Sequence, residues 1–435
     1  IRNEACNGLV GYSEGKYTAA VFDSFAREEL LYLEQEETGK FYDGEQLLDT
    51  QKTEGGYWVK TQLEPLDMKE IAFCPGEEKE QEIPFEISLE DRQVITPNYK
   101  ISWDEEGRLD RIYDRIHDRE ILKAGEKGNV LELYEDKPLG DDAWNIDAFY
   151  TEKMQRLEMT GEAVLQEIGS LLVKIRFRYV FGDSEIVQDM VLYRDSMRID
   201  FETFADWRES HKLLKAAFYT DIRAVKATYD IQFGCVERPN HGNTSWDRAK
   251  FEVCAQRWAD LSEHGYGISL LNDGKYGYNI RENAVKLSLL RAPKHPDPMA
   301  DMGKHQFTYA LFPHEGAVTD GGTVEEAAKL NQRPLILKDR SPKNRVGLFD
   351  IQADGVQIDA VKKAEDDQAV IIRLHEYRGG RGRAELLFAK DVQEAVVTDL
   401  LERKIEEEIP VSISGRSVQL RLKPFEIKTL KVRIS

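Results

Sequence analysis

Residues 170–181 read SLLVKIRFRYVF. Side chains along a strand point alternately to opposite faces, so Leu171, Val173, Ile175, Phe177 and Tyr179 share one side and Lys174, Arg176 and Arg178 the other. That is a half-buried antiparallel strand. EIVQDMVLYRD (185–195) and MRIDFETFADW (197–207) repeat the pattern, with Gly182-Asp183-Ser184 and Asp195-Ser196 as the turns of a meander. Working outward, QVITPNYKISWDEEGRLDRIYD (93–114) gives two strands turning at residues 104–107. Beyond residue 346, AVIIRLHEY, RAELLFA, SVQLRLK and EIKTLKVRI alternate again. The best helical segment is TVEEAAKL (323–330), with Thr323 as cap and Glu326 closing a capping box.

The fold class expected is therefore all-β. At 435 residues the chain exceeds the roughly 250–300 residues at which single cores stop growing. Charged and Pro-containing stretches at GEEKEQEIPFE (76–86) and NQRPLILKDRSPKNR (331–345) read as connections. Three domains are expected: a small β domain at 1–80, a large antiparallel super-sandwich at 85–340 and a β-sandwich at 346–435. Long strands in the middle domain need two packed sheets to bury both faces.

Sixty Lys and Arg against eighty Asp and Glu leave a net charge of −20, which repels nucleic acid and anionic membranes. Cys6, Cys74, Cys235 and Cys254 lie far apart without CxxC or zinc-finger spacing, so neither a disulfide framework nor a structural zinc site is expected, and a cytoplasmic location fits. No Walker, Rossmann, Gly-x-Ser-x-Gly or His-Glu-x-x-His pattern occurs. RGGRG (378–382) lacks the strand–loop–helix context of a phosphate loop and reads as a hairpin turn.

Three polar clusters carry possible chemistry. DKPLGDDAWNIDAFY (136–150) gathers Asp136, Asp141, Asp142 and Asp147 around Trp144; carboxylates accept from sugar hydroxyls and an indole covers a sugar face, although acidic loops are also ordinary surface. HGNTSWD (241–247) offers His241, Asn243 and Asp247 to a ligand, with Trp246 and Trp258 expected in the core. The 289–314 segment contains His295, Asp297, Asp301 and His305, residue types that bind zinc, but it reads better as a loop carrying Arg291, Asp297 and Asp301 to a ligand, or as a plain connection.

The stretches VERPNHGNTSWDRAKFEVCAQRWADLSEHGYGISLLNDGKYGY (236–278) and LSLLRAPKHPDPMADMGKHQFTYALFPHEG (287–316) closely resemble the carboxyl-terminal β region of glycoside hydrolase family 38 alpha-mannosidases. DKPLGDDAWNID, WRESHKLLKAAF (207–218), 359–388 and LKPFEIKTL (422–430) extend the resemblance, which covers the chain from about residue 85. The resemblance implies a galactose-mutarotase-like super-sandwich flanked by two smaller β-sandwiches. It also implies that the zinc, the aspartate nucleophile and a helical bundle belong to an upstream catalytic domain, leaving no catalytic, metal or cofactor residue on this chain. Asp142, Trp144, Asp147, Arg291, Asp297 and Asp301 would bind a mannose-containing oligosaccharide beside that domain, and family assemblies imply a possible homo-oligomer. The chain departs from relatives at Asn145, where Asp is common, at Gly274, where Cys is usual, and at Asn240-His241-Gly242, where Thr-His-Tyr is common. Two other readings stand beside this one: an autonomous carbohydrate-binding module, and a mutarotase-like isomerase using His211 or His241 with Glu209 or Glu237.

Overall fold

The computed structural model describes residues 2–78, 81–343, 347–406 and 411–435. The opening segment forms the strand Leu172–Phe181, with Val173, Ile175, Phe177 and Tyr179 buried as the alternation requires. Its outward cations meet carboxylates: Arg176 with Asp189 at 2.7 Å and Arg178 with Glu185 at 2.5 Å on the neighbouring strand, and Lys174 with Glu202 at 3.0 Å on the strand beyond it. Opposite charges across a ladder keep the outer face soluble while fixing register.

The chain divides into two compact units, one of residues 81–230 and 236–331, the other of residues 1–80, 231–235 and 332–435. The first unit is the super-sandwich. Its nine-stranded antiparallel sheet runs, in spatial order, Val164–Ile168, Leu172–Phe181, Ser184–Tyr193, Ile199–Trp207, Gly303–Glu315, Tyr266–Asn272, Trp258–Glu263, Lys226–Ile231 and Gly234–Pro239. A six-stranded sheet is built around Val130–Glu135, Lys212–Tyr219 and Ala284–Arg291, and a five-stranded sheet spans Glu86 to Glu120. One core cluster joins all three sheets, from Trp103 and Phe177 through Trp207 and Phe218 to Tyr309. Within it Asn129, Gln188, Thr203 and Tyr309 form a closed buried network: Asn129 Nδ2 donates to Gln188 Oε1 at 2.7 Å, Gln188 Nε2 donates to Thr203 Oγ1 and the Tyr309 hydroxyl at 2.9 Å, and Tyr309 donates back to Asn129 at 2.5 Å. A satisfied polar network of this kind ties the sheets in one register.

The outer face of the six-stranded sheet is also buried and charged. Glu132 accepts from Lys286 at 2.8 Å and from the Tyr134 and Tyr219 hydroxyls at 2.5 Å, while Lys215 pairs with Glu252, which also accepts from Tyr150 at 2.5 Å.

In the second unit, Val10–Ala20, Met68–Pro75, Gly39–Asp43 and Gln46–Leu47 form a sheet over the three-stranded one containing Arg27–Glu34 and Gly56–Leu63. Its remaining strand is Leu335–Pro342, which pairs with Val10–Ala20. Within the 331–345 stretch expected as a connection, Leu335–Pro342 is thus a strand; its side chains are all half-buried or exposed, so no apolar alternation marks it. Two four-stranded sheets after residue 348 enclose a separate core. RGGRG joins Val370–Glu376 of one sheet to Gly382–Phe388 of the other, so it is a crossover between sheets and not the hairpin expected. The Glu376 carboxylate organises it, accepting N–H groups of Arg378, Gly379, Gly380 and Phe425 at 2.9–3.0 Å.

The expected helix is present as Thr323–Asn331, but the capping box is not how its residues are used. The Thr323 hydroxyl is hydrogen-bonded to Ser269 Oγ at 2.7 Å inside the core, and Glu326 pairs with Arg198 and Lys329. Among the described residues no helix is long and apolar enough to cross a membrane.

Candidate functional site

Three connections cross between the nine- and six-stranded sheets at one end of the super-sandwich: Arg208–His211, Asp273–Tyr276 and Ala292–Met302. Register places them together, since Trp207 pairs with Gly303, Leu213 with Arg291 and Glu135 with Lys212. The long excursion after Glu135 begins at the same end. Of the six residues expected to bind sugar, Asp142, Trp144, Asp147, Asp297 and Asp301 lie on these loops, and Arg291 ends the strand that leads into one of them.

Arg291 is the fastener. Its guanidinium pairs with the Asp136 carboxylate and donates to the carbonyl oxygens of Asp142 at 2.8 Å, Ala143 at 3.1 Å and Asn145. Its own N–H donates to Asp301 at 3.0 Å. Five donors in a rigid fork suit Arg to holding several carbonyls at once. Asp142 fastens the loops from the other side, accepting the N–H of Lys294 at 2.5 Å and of His295 at 3.0 Å. Burial acts to raise the Asp142 carboxyl, but those two N–H groups and the charges of His211 and Arg291 outweigh it and hold the carboxyl below its ordinary range. His211 Nδ1 lies 3.4 Å from Asp142, near enough for an ion pair but not aligned as a hydrogen bond. The His211 backbone sits at φ 53°, bonded to Ala292 and Asp136 on either side.

Arg291 and Asp142 therefore hold loops, leaving other groups to face outward. Asp147 accepts from the Leu139 N–H at 2.7 Å and Asp297 from the Met299 N–H at 2.8 Å. Apolar and acidic groups are among those exposed: Trp144 is 69% exposed, with Leu139 and Asp141 on its own loop, and Asp297 and Met299 are exposed on the 292–302 loop. Fixed loops presenting an indole and carboxylates have the composition of a carbohydrate rim.

The 241–247 cluster lies elsewhere. Arg281 donates to the carbonyls of His241 at 2.6 Å and Asp247 at 2.7 Å, and Arg281 pairs with Ala284 at the opposite end of the strand that finishes at Arg291. Eight residues at about 3.3 Å each put some 25 Å between the two ends. Asp247 closes a capping box with Thr244 on the short helix Ser245–Ala249. Trp258 is in the core as expected, but Trp246 is 80% exposed on that helix, where no strand alternation directs it inward.

Sequence reading missed Asp136 as the partner of Arg291, and Lys275, whose ammonium lies 4.3 Å from the centre of the Phe307 ring. A zinc ion, which the resemblance assigns to an upstream domain, needs several His, Cys, Asp or Glu side chains converging. Among the described residues no three of these stand together: the His305 ring nitrogen is engaged by the Asp301 carbonyl at 2.9 Å, and Asp301 holds Arg291. The residues present do not fit the ion.

Comparison with known proteins bears on the whole molecule. The family model for the glycosyl hydrolases family 38 C-terminal domain matches residues 94–299, and that for the family's C-terminal beta sandwich domain matches residues 355–430. The chain belongs to the carboxyl-terminal region of glycoside hydrolase family 38. Alpha-mannosidase 2C1 of Homo sapiens is 37% identical over 384 residues, covering 85% of this chain and 35% of that protein. Alpha-mannosidase G of Dictyostelium discoideum is 35% identical over 339 residues, covering 75% and 31%. The chain thus spans about a third of the length of these curated relatives. An alpha-mannosidase crystal structure from Enterococcus faecalis V583 superposes with a TM-score of 0.76 at 14% identity, over 99% of this chain and 58% of that one, and shares the fold.

Proposed function

We propose that this family 38 chain is the non-catalytic β portion of a larger retaining alpha-mannosidase that hydrolyses terminal alpha-D-mannosides. In this reading the 136–147 and 292–302 loops close one side of a sugar pocket whose zinc and nucleophile are supplied by an upstream catalytic domain. A retaining glycosidase needs two carboxyl groups about 5–5.5 Å apart, one free to attack and one to protonate. The observation that carries the reading is the Arg291 fastening: it engages Asp136, and with Asp142 and Asp301 accepting backbone N–H groups, the loops are tied to one another and the Asp136 and Asp142 carboxylates are used in holding them. Such loops suit positioning. Trp144 would cover a sugar face, Asp147, Asp297 and Asp301 would accept from hydroxyls, and Arg291 and Asp142 would keep the rim in shape. The partners are the upstream domain and a mannose-containing oligosaccharide, with self-association through β domains, in the cytoplasm.

The test compares the 435-residue chain, shown folded by circular dichroism, with the same gene extended upstream, on an aryl alpha-mannoside with zinc. Activity confined to the extended protein supports the proposal; turnover by the short chain overturns it. Saturable mannose binding by the short chain alone would instead favour an autonomous binding module.

A further inference from the structure

We infer that Tyr150 is a positioning residue for the sugar rim: its hydroxyl, bonded to Glu252, anchors the rear of the 136–153 excursion and so fixes where Trp144 and Asp147 stand. The part of this assignment that concerns sugar rests on the reading above. The excursion leaves the six-stranded sheet after Glu135 and rejoins it at Met154, which pairs with Tyr134. Its front is held at residues 142–145 by Arg291. Its rear is a short 3-10 helix, Ala148–Glu152, whose Tyr150 side chain is buried. The Tyr150 hydroxyl donates to Glu252 Oε1 at 2.5 Å. Its ring stands edge-on to Tyr134 at 5.0 Å and lies 6.4 Å from Phe251, with the Lys215 ammonium 5.3 Å from its centre. Glu252 comes from a third stretch, just before the strand Val253–Cys254, and the same oxygen also takes the fully buried Lys215 ammonium. The anchor therefore ties three separate segments to one carboxylate oxygen.

Packing alone does not call for these groups. Replacing a buried ion pair by apolar residues of similar volume is often neutral or stabilising, so a lysine, a glutamate and a phenol buried together serve placement better than stability. Apolar contact holds a ring but lets it slide, whereas a hydroxyl–carboxylate bond fixes a length and a direction. Burial and the Glu252 charge push the Tyr150 hydroxyl well up, so it keeps its proton and stays a donor. The position of Tyr150 is passed on to the rim through short steps. Its N–H donates to the Asp147 carbonyl at 3.0 Å, the Asp147 carboxylate accepts the Leu139 N–H at 2.7 Å, and Ile146 packs on the cluster of Tyr134, Tyr150 and Leu213. Trp144 thus stands between the Arg291 fastening on one side and the Tyr150 anchor on the other.

The experiment uses Tyr150→Phe, which removes the hydroxyl and keeps the ring on Tyr134 and Phe251, beside Phe201→Leu, a core substitution away from the anchor that lowers stability without touching it. Thermal melting establishes that both variants fold. Trp144 and Trp246 are the exposed indoles among the described residues, so in a Trp246→Phe background the anisotropy decay of Trp144, taken as the difference from the same protein with Trp144→Phe, reports the rim directly. Tyr150→Phe is expected to add a fast local component to that decay, and Phe201→Leu to leave it as in the wild type. In the enzyme extended upstream, Tyr150→Phe is expected to raise KM for an aryl alpha-mannoside about threefold to tenfold with a smaller change in kcat, while Phe201→Leu leaves KM within about twofold. A folded Tyr150→Phe protein with an unchanged Trp144 decay, or with the same change as Phe201→Leu, overturns the anchor and leaves the mannosidase reading standing. A loosened Trp144 with unchanged KM overturns the link from anchor to sugar. An extended wild-type protein without activity overturns the sugar reading, and the Trp144 decay still decides the anchor.

Discussion

Arg291→Met removes the fastener between the two loops. Arg291 is 17% and Asp136 1% exposed in their side chains, so the substitution strands a buried carboxylate whose second oxygen already has no hydrogen bond. Breaking a buried pair by deleting one partner costs about 3–5 kcal/mol, most of it the penalty of the charge left behind. In a unit of this size about 1 kcal/mol moves Tm by some 2–4 °C, so the super-sandwich transition should fall by roughly 6–20 °C. Calorimetry and urea unfolding measure it. The double variant Asp136→Asn with Arg291→Met should be more stable than Arg291→Met alone, because the stranded charge is gone. Arg291→Lys should recover the pairing with Asp136 but not the bonds to three carbonyls, and fall between. A loss below about 1 kcal/mol in Arg291→Met, or the same loss in the Asp136→Asn background, would refute the reasoning.

Glu376→Gln should destabilise the sandwich after residue 348 by about 2–3 kcal/mol in urea unfolding, since an amide has one acceptor oxygen for four N–H groups and turns donors toward the others. Glu132 carries the pH dependence of the charged face. Burial acts to raise its carboxyl, yet Lys286 and the Tyr134 and Tyr219 hydroxyls outweigh it and hold the carboxyl below its ordinary range. A depressed folded-state pKa contributes stability that is present above the unfolded value, about 4.3, and lost as pH falls through the folded value. Acid unfolding of the wild type should therefore be steeper below pH ~4 than that of Glu132→Gln; equal acid limbs would contradict the assignment.

The β class was legible because alternation has a physical period, and SLLVKIRFRYVF folds as that period dictates. Leu335–Pro342 escaped because a strand without a buried face leaves no such period. The helix at 323–331 was legible, but not the use of Thr323, since only the assembled sheet brings Ser269 to its hydroxyl. For the site, residue types identified the loops, while the resemblance, not spacing, joined them. Which carboxylates are occupied was hidden, because the bonds of Arg291, Asp142 and Asp301 run largely to backbone groups, which carry no residue identity. Lys275 was hidden likewise: nothing in Asn-Asp-Gly-Lys-Tyr reveals Phe307 beneath it.

Arg291 grips the carbonyl oxygens of residues 142, 143 and 145, and any amino acid supplies a carbonyl. Positions 143–145 are thus free to change their side chains while the scaffold beneath them stays put. Ala143, Trp144 and Asn145 are accordingly the positions at which side chains can be exchanged without loosening the loops, provided Asp136, Asp142 and Arg291 are left alone.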